Sequence, residues 1–337
     1  MTPKIRVAVV GAGGIGGTHL TAYRQSGLAE IVAVADPVSE AAQARAEAFG
    51  CRTYADYREM LAQEQPQAIS ICTPPHLHRE IAVHALEQGI AVLCEKPLAR
   101  TVEEGRAMVE AAEQTGGILM TALCHRFHPA VRTLKRLIDE GRLGRLVHFH
   151  NRFAFKFVGV EQRWFVQPAI AGGGILIDTA VHSVDLFHFL VGDIASAFAQ
   201  LQTRLPGLAV EDSAVLHVRS MPLGDNGAVV DGVIECSWVT PVSEAAVWLY
   251  GTQGEAIVDY NAACLRYRLE GDAAWTEAPD QDPNRFVGEI THFLDCVIRG
   301  VQPAVDGRAG LHALEVLAAG YRSARSGRVE PVAAAEG

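Results

Sequence analysis

The stretch Val9-Val10-Gly11-Ala12-Gly13-Gly14-Ile15-Gly16 follows the apolar run Ile5–Val10 and opens a helical segment that Gly27 ends. It has the form GxGxxG. Glycines so spaced permit a tight turn, let the backbone approach a pyrophosphate, and leave that group on a helix N-terminus. The next apolar run, residues 30–35, leads to Asp36, about twenty residues beyond Gly16. A carboxylate there accepts hydrogen bonds from adenosine ribose hydroxyls and repels a 2′-phosphate. Pro37, Val38 and Ser39 offer no cation beside it, and Arg45 lies a few turns into the following helix. Gly11, Gly13, Gly14, Ile15, Gly16 and Asp36 are thus expected to hold a dinucleotide, with NAD preferred to NADP.

Outward from this fingerprint, short apolar runs at 68–72, 91–94 and 118–123 alternate with helical stretches at 39–49, 76–87 and 102–115. Continuous apolar strands between helices imply a parallel sheet covered on both faces, and right-handed crossovers make it doubly wound. The pattern changes near residue 126. Runs at 146–155, 196–201, 213–219, 229–239, 245–250 and 255–260 follow one another as strands, with helices near 129–140, 174–191, 286–299 and 308–325. That segregation predicts an α+β domain with a large open, mainly antiparallel sheet. A chain of 337 residues exceeds the usual size of one core. The expected division is a Rossmann domain over 1–125 and a substrate-binding and oligomerisation domain over 126–337.

Composition narrows the function classes. A net charge of −10 without a Lys/Arg run argues against a nucleic-acid partner. No apolar stretch reaches the ~20 residues that span a bilayer. The seven cysteines are scattered singly, with no CxxC pair, so neither a disulfide framework nor a zinc ribbon is expected. Residues 1–6 run straight into a strand without signal-peptide architecture, so a cytoplasmic location is expected. Disorder is expected at most at the ends, such as 332–337.

Three further segments carry chemistry: Ile71-Cys72-Thr73-Pro74-Pro75-His76-Leu77-His78, Cys94-Glu95-Lys96-Pro97-Leu98, and Gly172-Gly173-Gly174-Ile175-Leu176-Ile177-Asp178-Thr179-Ala180-Val181-His182-Ser183-Val184-Asp185. In this order, with the N-terminal fingerprint, the chain resembles the glucose–fructose oxidoreductase / inositol dehydrogenase family over nearly its whole length. The resemblance implies that Lys96, Asp178 and His182 form the catalytic set. It also implies that Thr73, Pro74, His78, Glu95 and Lys96 line the dinucleotide, and that Arg163-Trp164 lies over nicotinamide and substrate. Two departures stand out: Ala180 where glycine is common, and Cys124-His125-Arg126 where an asparagine usually precedes the arginine by two.

The residue types suit that chemistry on their own terms. Oxidising a secondary alcohol needs a hydride acceptor, a base for the hydroxyl proton, and a donor that stabilises the developing alkoxide. Lys96 lies just beyond the carboxyl end of a parallel strand, where ligands bind in such sheets. Asp178 and His182, four apart on a predicted helix, should share one face, with Asp185 one turn on; no metal is expected there. His125, Arg126, Arg163 and Trp164, together with His150, Asn151, Arg152 and Lys156, are the candidates for contact with a hydroxylated substrate. The expected activity is hydride transfer between NAD(P) and a secondary alcohol of a sugar, inositol or related polyol, by a homodimer or homotetramer with the site in an inter-domain cleft. The alternatives are an NAD-dependent glycosidase and a non-catalytic dinucleotide or sugar sensor.

Overall fold

The computed structural model describes residues 4–224, 227–279 and 284–332; the expectation for the C-terminal end beyond residue 332 lies outside them. Two compact units emerge, Met1–Cys124 with Asn284–Leu311, and His125–Pro283 with His312–Gly337.

The first unit opens with β1 (Ile5–Val10), α1 (Gly14–Ser26), β2 (Ala29–Ala35), α2 (Ser39–Phe49), β3 (Arg52–Tyr54), α3 (Tyr57–Glu64) and β4 (Ala68–Ile71). It continues with α4 (His78–Glu87), β5 (Ala91–Glu95), α5 (Val102–Thr115) and β6 (Leu119–Ala122). All six strands are parallel, in the order β3-β2-β1-β4-β5-β6. The direction of winding therefore reverses between β1 and β4, and ligands bind outside the carboxyl ends of strands at such a point. Strands β1, β4 and β5 are buried almost throughout, as their unbroken apolar runs require. The short β3, exposed or half-buried, has no such run, and the sequence reading passed over both it and α3.

In the second unit come α6 (Pro129–Asp139), β7 (Leu146–Lys156), α7 (Pro168–Ala171), α8 (Ile175–Asp178), α9 (Ala180–Leu190), β8 (Ile194–Gln202) and β9 (Ser213–Ser220). Then follow β10 (Asp231–Ser237), β11 (Val239–Gly251), β12 (Gly254–Asp259), β13 (Cys264–Leu269) and β14 (Thr276–Pro279). The chain closes with α10 (Arg285–Arg299), α11 (Gly307–Ser326) and β15 (Glu330–Pro331). The nine strands order as β14-β13-β12-β11-β7-β10-β9-β8-β15, antiparallel except for the parallel pair β7 and β10. The run expected as one strand over 229–239 is interrupted at Trp238, whose indole is buried and whose backbone N–H donates to the Asp212 carbonyl at 2.9 Å.

The expected contiguous domain 126–337 needs one correction, because residues 284–311 return to the first unit. Helix α10 turns Ile290, Phe293 and Leu294 inward, and it packs on α1. Thr121 N–H then donates to the Val305 carbonyl at 2.9 Å, and Met120 bridges Asp306, so this segment covers the outer edge of β6. Apolar burial and an unpaired sheet edge together account for the return. Among the described residues no single helix is long and apolar enough to cross a membrane.

Candidate active site

In the first unit the fingerprint glycines divide into two kinds. Gly11 has φ +103°, and a Cβ there would collide with the Cys72 carbonyl; at Gly16 it would collide with the Gly11 carbonyl. These two hold β1, α1 and β4 close together. At Gly13 and Gly14, by contrast, an added Cβ would meet no described atom within 4 Å. Their bare backbone faces open space at the start of α1, where a phosphate needs close approach to N–H groups. Ile15 is half-buried behind them.

Asp36 is fixed beside this turn. One carboxylate oxygen accepts from Ala12 N–H at 2.7 Å and the other from Val38 N–H at 2.8 Å. Arg45, which its sequence position had set a few turns away, folds back along α2. Its Nε donates to the Ala12 carbonyl at 3.1 Å and its Nη2 to the Gly13 carbonyl at 3.2 Å. So long a side chain reaches from α2 to the fingerprint turn, which linear spacing does not convey.

At the end of β4, the Thr73 hydroxyl is shielded from solvent and has no hydrogen-bond partner among the described residues. Pro74, half-buried, starts the 3-10 turn Pro75–Leu77. His78, assigned to the cofactor surface from sequence, is instead fully buried. Its ring nitrogens lie 2.8 Å from the Thr73 carbonyl and 3.0 Å from the Pro97 carbonyl. It ties together the loops that follow β4 and β5. Lys96, half-buried after β5, precedes a cis peptide bond to Pro97, and its N–H donates to a Glu95 carboxylate oxygen at 3.1 Å.

Glu95 belongs to a buried network that sequence reading missed. His19 Nε2 lies 2.9 Å from Glu95 Oε1, His19 Nδ1 lies 3.0 Å from Ser70 Oγ, and Tyr23 OH lies 2.7 Å from the same hydroxyl. The signal was available: His19 sits three positions beyond Gly16, one turn along the fingerprint helix. Bare backbone at Gly13 and Gly14, an anchored Asp36 and the solitary Thr73 hydroxyl fit a nicotinamide dinucleotide.

In the second unit, Asp178 ends α8 and His182 lies in the first turn of α9, with a bend of 48° between Pro168–Asp178 and Ala180–Leu190. The single helix expected over 174–191 is therefore broken at Thr179. Its hydroxyl donates to Asp178 Oδ2 at 3.1 Å, the kind of local side-chain bond that competes with helix continuity. Upstream, Glu211 Oε1 accepts from Gly174 N–H at 3.1 Å, Leu176 N–H at 3.0 Å and Tyr321 OH at 2.7 Å. Burial pushes the Glu211 carboxyl up, and the Tyr321 hydroxyl pulls it back. Cβ atoms at Gly173 and Gly174 would collide with Tyr321 and Glu211, which explains the glycine run before Asp178.

The His125 ring lies 4.5 Å from that of His182, 5.1 Å from Phe153 and 4.9 Å from Tyr260, centroid to centroid. Tyr260, just past β12, was not singled out from sequence. Arg126 is buried, and its Nε donates to both Asp185 oxygens at 2.9 Å. The Asp185 carboxylate thus holds the guanidinium of Arg126, next in the chain to His125. Exposed Arg163 places its guanidinium 5.3 Å from the Phe157 ring, and half-buried Trp164 stacks on Phe165 at 3.9 Å.

Strand β7 divides its candidate residues between two faces. Phe149 packs against Phe187 of α9, and buried Asn151 Nδ2 donates to the Ala246 carbonyl at 2.8 Å. His150, stacked on Trp248 at 4.8 Å, and Arg152, paired with Glu235 and Glu244, point to the opposite face. Alternation along a strand puts them on the face away from His125 and His182.

Fold and cofactor cradle define a dinucleotide-binding oxidoreductase. Residues 5–123 match the oxidoreductase family with an NAD-binding Rossmann fold, and residues 131–257 match the GFO/IDH/MocA C-terminal domain. The chain belongs to this GFO/IDH/MocA oxidoreductase family. It is 29% identical to the D-apiose dehydrogenase of Paraburkholderia graminis, over 96% of this chain and 89% of the other. It is 26% identical to the inositol 2-dehydrogenase of Rhizobium meliloti, over 95% and 96% respectively. A solved levoglucosan dehydrogenase, in complex with NADH and levoglucosan, superposes with a TM-score of 0.92 at 26% identity, over 98% of this chain and 100% of that one.

Proposed function

We propose that this protein oxidises a secondary alcohol of a sugar, inositol or related polyol, reversibly, with NAD preferred to NADP. The observation that carries this is the cradle itself: open backbone at Gly13 and Gly14 beside a carboxylate, Asp36, whose backbone donors fix it. Relatives named as dehydrogenases of sugars and inositols support the substrate class.

The dinucleotide, when bound, supplies the hydride acceptor. Lys96 donates a hydrogen bond to the reacting hydroxyl oxygen and stabilises the alkoxide as the C–H bond breaks. His182 takes the hydroxyl proton, and Asp178 holds the substrate or the imidazole. His125 and Tyr260 flank His182, and Arg163 and Trp164 contribute donors and an aromatic face for a hydroxylated ligand. The glycosidase and sensor readings are disfavoured, since a sensor needs no set of base, carboxylate and ammonium. We place the enzyme in the cytoplasm as a homo-oligomer, paired through the sheet face that carries His150 and Trp248. An NAD-reduction screen over sugars, inositols and sugar phosphates tests the reading. Reduction with one such compound, reduced about a hundredfold or more in Lys96→Met, supports it; none with any member contradicts it.

A further inference from the structure

A cluster of ligating side chains in the second unit lies outside the set assigned to the reaction. His188 occupies the last turn of α9, Asp193 follows the Val191–Gly192 turn, and His312 lies in the second turn of α11. We propose that His188, Asp193 and His312 bind one divalent transition-metal ion of the zinc type, tying the end of α9 to α11.

Each residue presents one ligand atom, and the three atoms lie within 4.8 Å of one another. His188 Nδ1 is 2.8 Å from Asp193 Oδ1, and the two imidazole rings are 5.2 Å apart, tilted by 50°. Ligands about 2.0–2.1 Å from a tetrahedral zinc stand roughly 3.3 Å from one another, so small side-chain rotations close the set. His312 Nε2 is shielded from solvent and has no hydrogen-bond partner among the described residues. A buried ring nitrogen in that condition carries a desolvation cost that a metal would offset. Backbone contacts preorganise the turn: the Asp193 carbonyl accepts from Met221 N–H at 2.7 Å, and Val191 N–H donates to the Phe187 carbonyl at 2.8 Å.

The donor set selects the ion. Two imidazoles and one carboxylate suit zinc, whereas calcium and magnesium prefer oxygen alone. Asp193 is 63% exposed, which leaves a fourth position for water. The cation facing the cluster, Arg126, already has its charge matched by Asp185. The site is independent of the reaction proposed above, since none of its three residues belongs to that set.

The test is a Zn²⁺ titration of the full-length protein, stripped with a chelator, in competition with a chromophoric zinc indicator. Wild type should take up one ion per chain, and its melting temperature should rise with Zn²⁺. Asp193→Asn and His312→Gln should each weaken uptake by about tenfold or more, on the scale of lost metal-site groups. His182→Ala should leave it unchanged, which separates this site from the imidazoles at the reactive centre. Asp193 is exposed, so Asp193→Asn decides the matter even if His312→Gln does not fold. No stoichiometric uptake by wild type, or uptake unaltered in Asp193→Asn, would overturn the proposal.

Discussion

The imidazoles of His125 and His182 lie with ring centroids 4.5 Å apart and planes tilted by 52°. His125 is buried and backed by Phe153 and Tyr260, while His182 is half-exposed, so the more accessible ring is the one that can reach a hydroxyl. If His182 is the proton acceptor, the oxidation rate rises with pH through the imidazole range. His182→Ala should flatten that limb and cut turnover by ~10²–10⁴, the usual contribution of a positioned base. His125→Phe keeps a ring against Phe153 and should cost less; pH–rate profiles of both variants check the ranking, and the reverse order would move the base to His125.

Asp36 sets the second expectation. Titration by fluorescence quenching should show NAD binding more tightly than NADP, and Asp36→Ala should narrow the gap. The same substitution removes the acceptor for the Ala12 and Val38 N–H groups, so NAD affinity should fall as well. Equal or tighter NADP binding by wild type contradicts the assignment.

His19 is a positioning residue on this account. His19→Leu leaves the Glu95 carboxylate and the Ser70 hydroxyl without their shared partner in a buried place. Such a loss costs about 1–3 kcal/mol, read as a lower urea midpoint at unchanged slope. NAD affinity should drop alongside turnover, because Glu95 in turn accepts the Lys96 N–H. An unshifted midpoint would mean that the network carries no stability.

Thiol reactivity follows from burial. Cys72, Cys94, Cys124, Cys236 and Cys296 are buried, and desolvation pushes the Cys124 and Cys236 thiols up to about 12. At pH 8 these stay protonated, and the thiolate is the reactive form. A disulfide reagent should therefore modify Cys51 and Cys264 in the native protein and all seven thiols in denaturant. Rapid native modification of Cys124 or Cys236 would count against the packing around them.

Much of the architecture was legible because it rests on local signals. Buried parallel strands write continuous apolar runs, and the Gly11–Gly16 spacing marks the turn that follows the first of them. What sequence could not convey was three-dimensional compensation. The helix over 174–191 has no proline or central glycine to announce its break at Thr179, which accompanies a bond to the Asp178 carboxylate. The buried pair of Arg126 with Asp185 joins residues far apart in the chain, which no local pattern announces. His150, Asn151 and Arg152 are adjacent letters on opposite faces of β7. Helix α10 returns to the first unit through an apolar stripe, which specifies burial but not against what.

The most direct test of the central claim is product stoichiometry with a substrate deuterated at the oxidised carbon. A dehydrogenase releases one NADH per ketone or lactone formed, with the label carried on the nicotinamide ring, and that is the result expected here. Release of a sugar from a glycoside without net NADH, or product formation with no label on the ring, would contradict it.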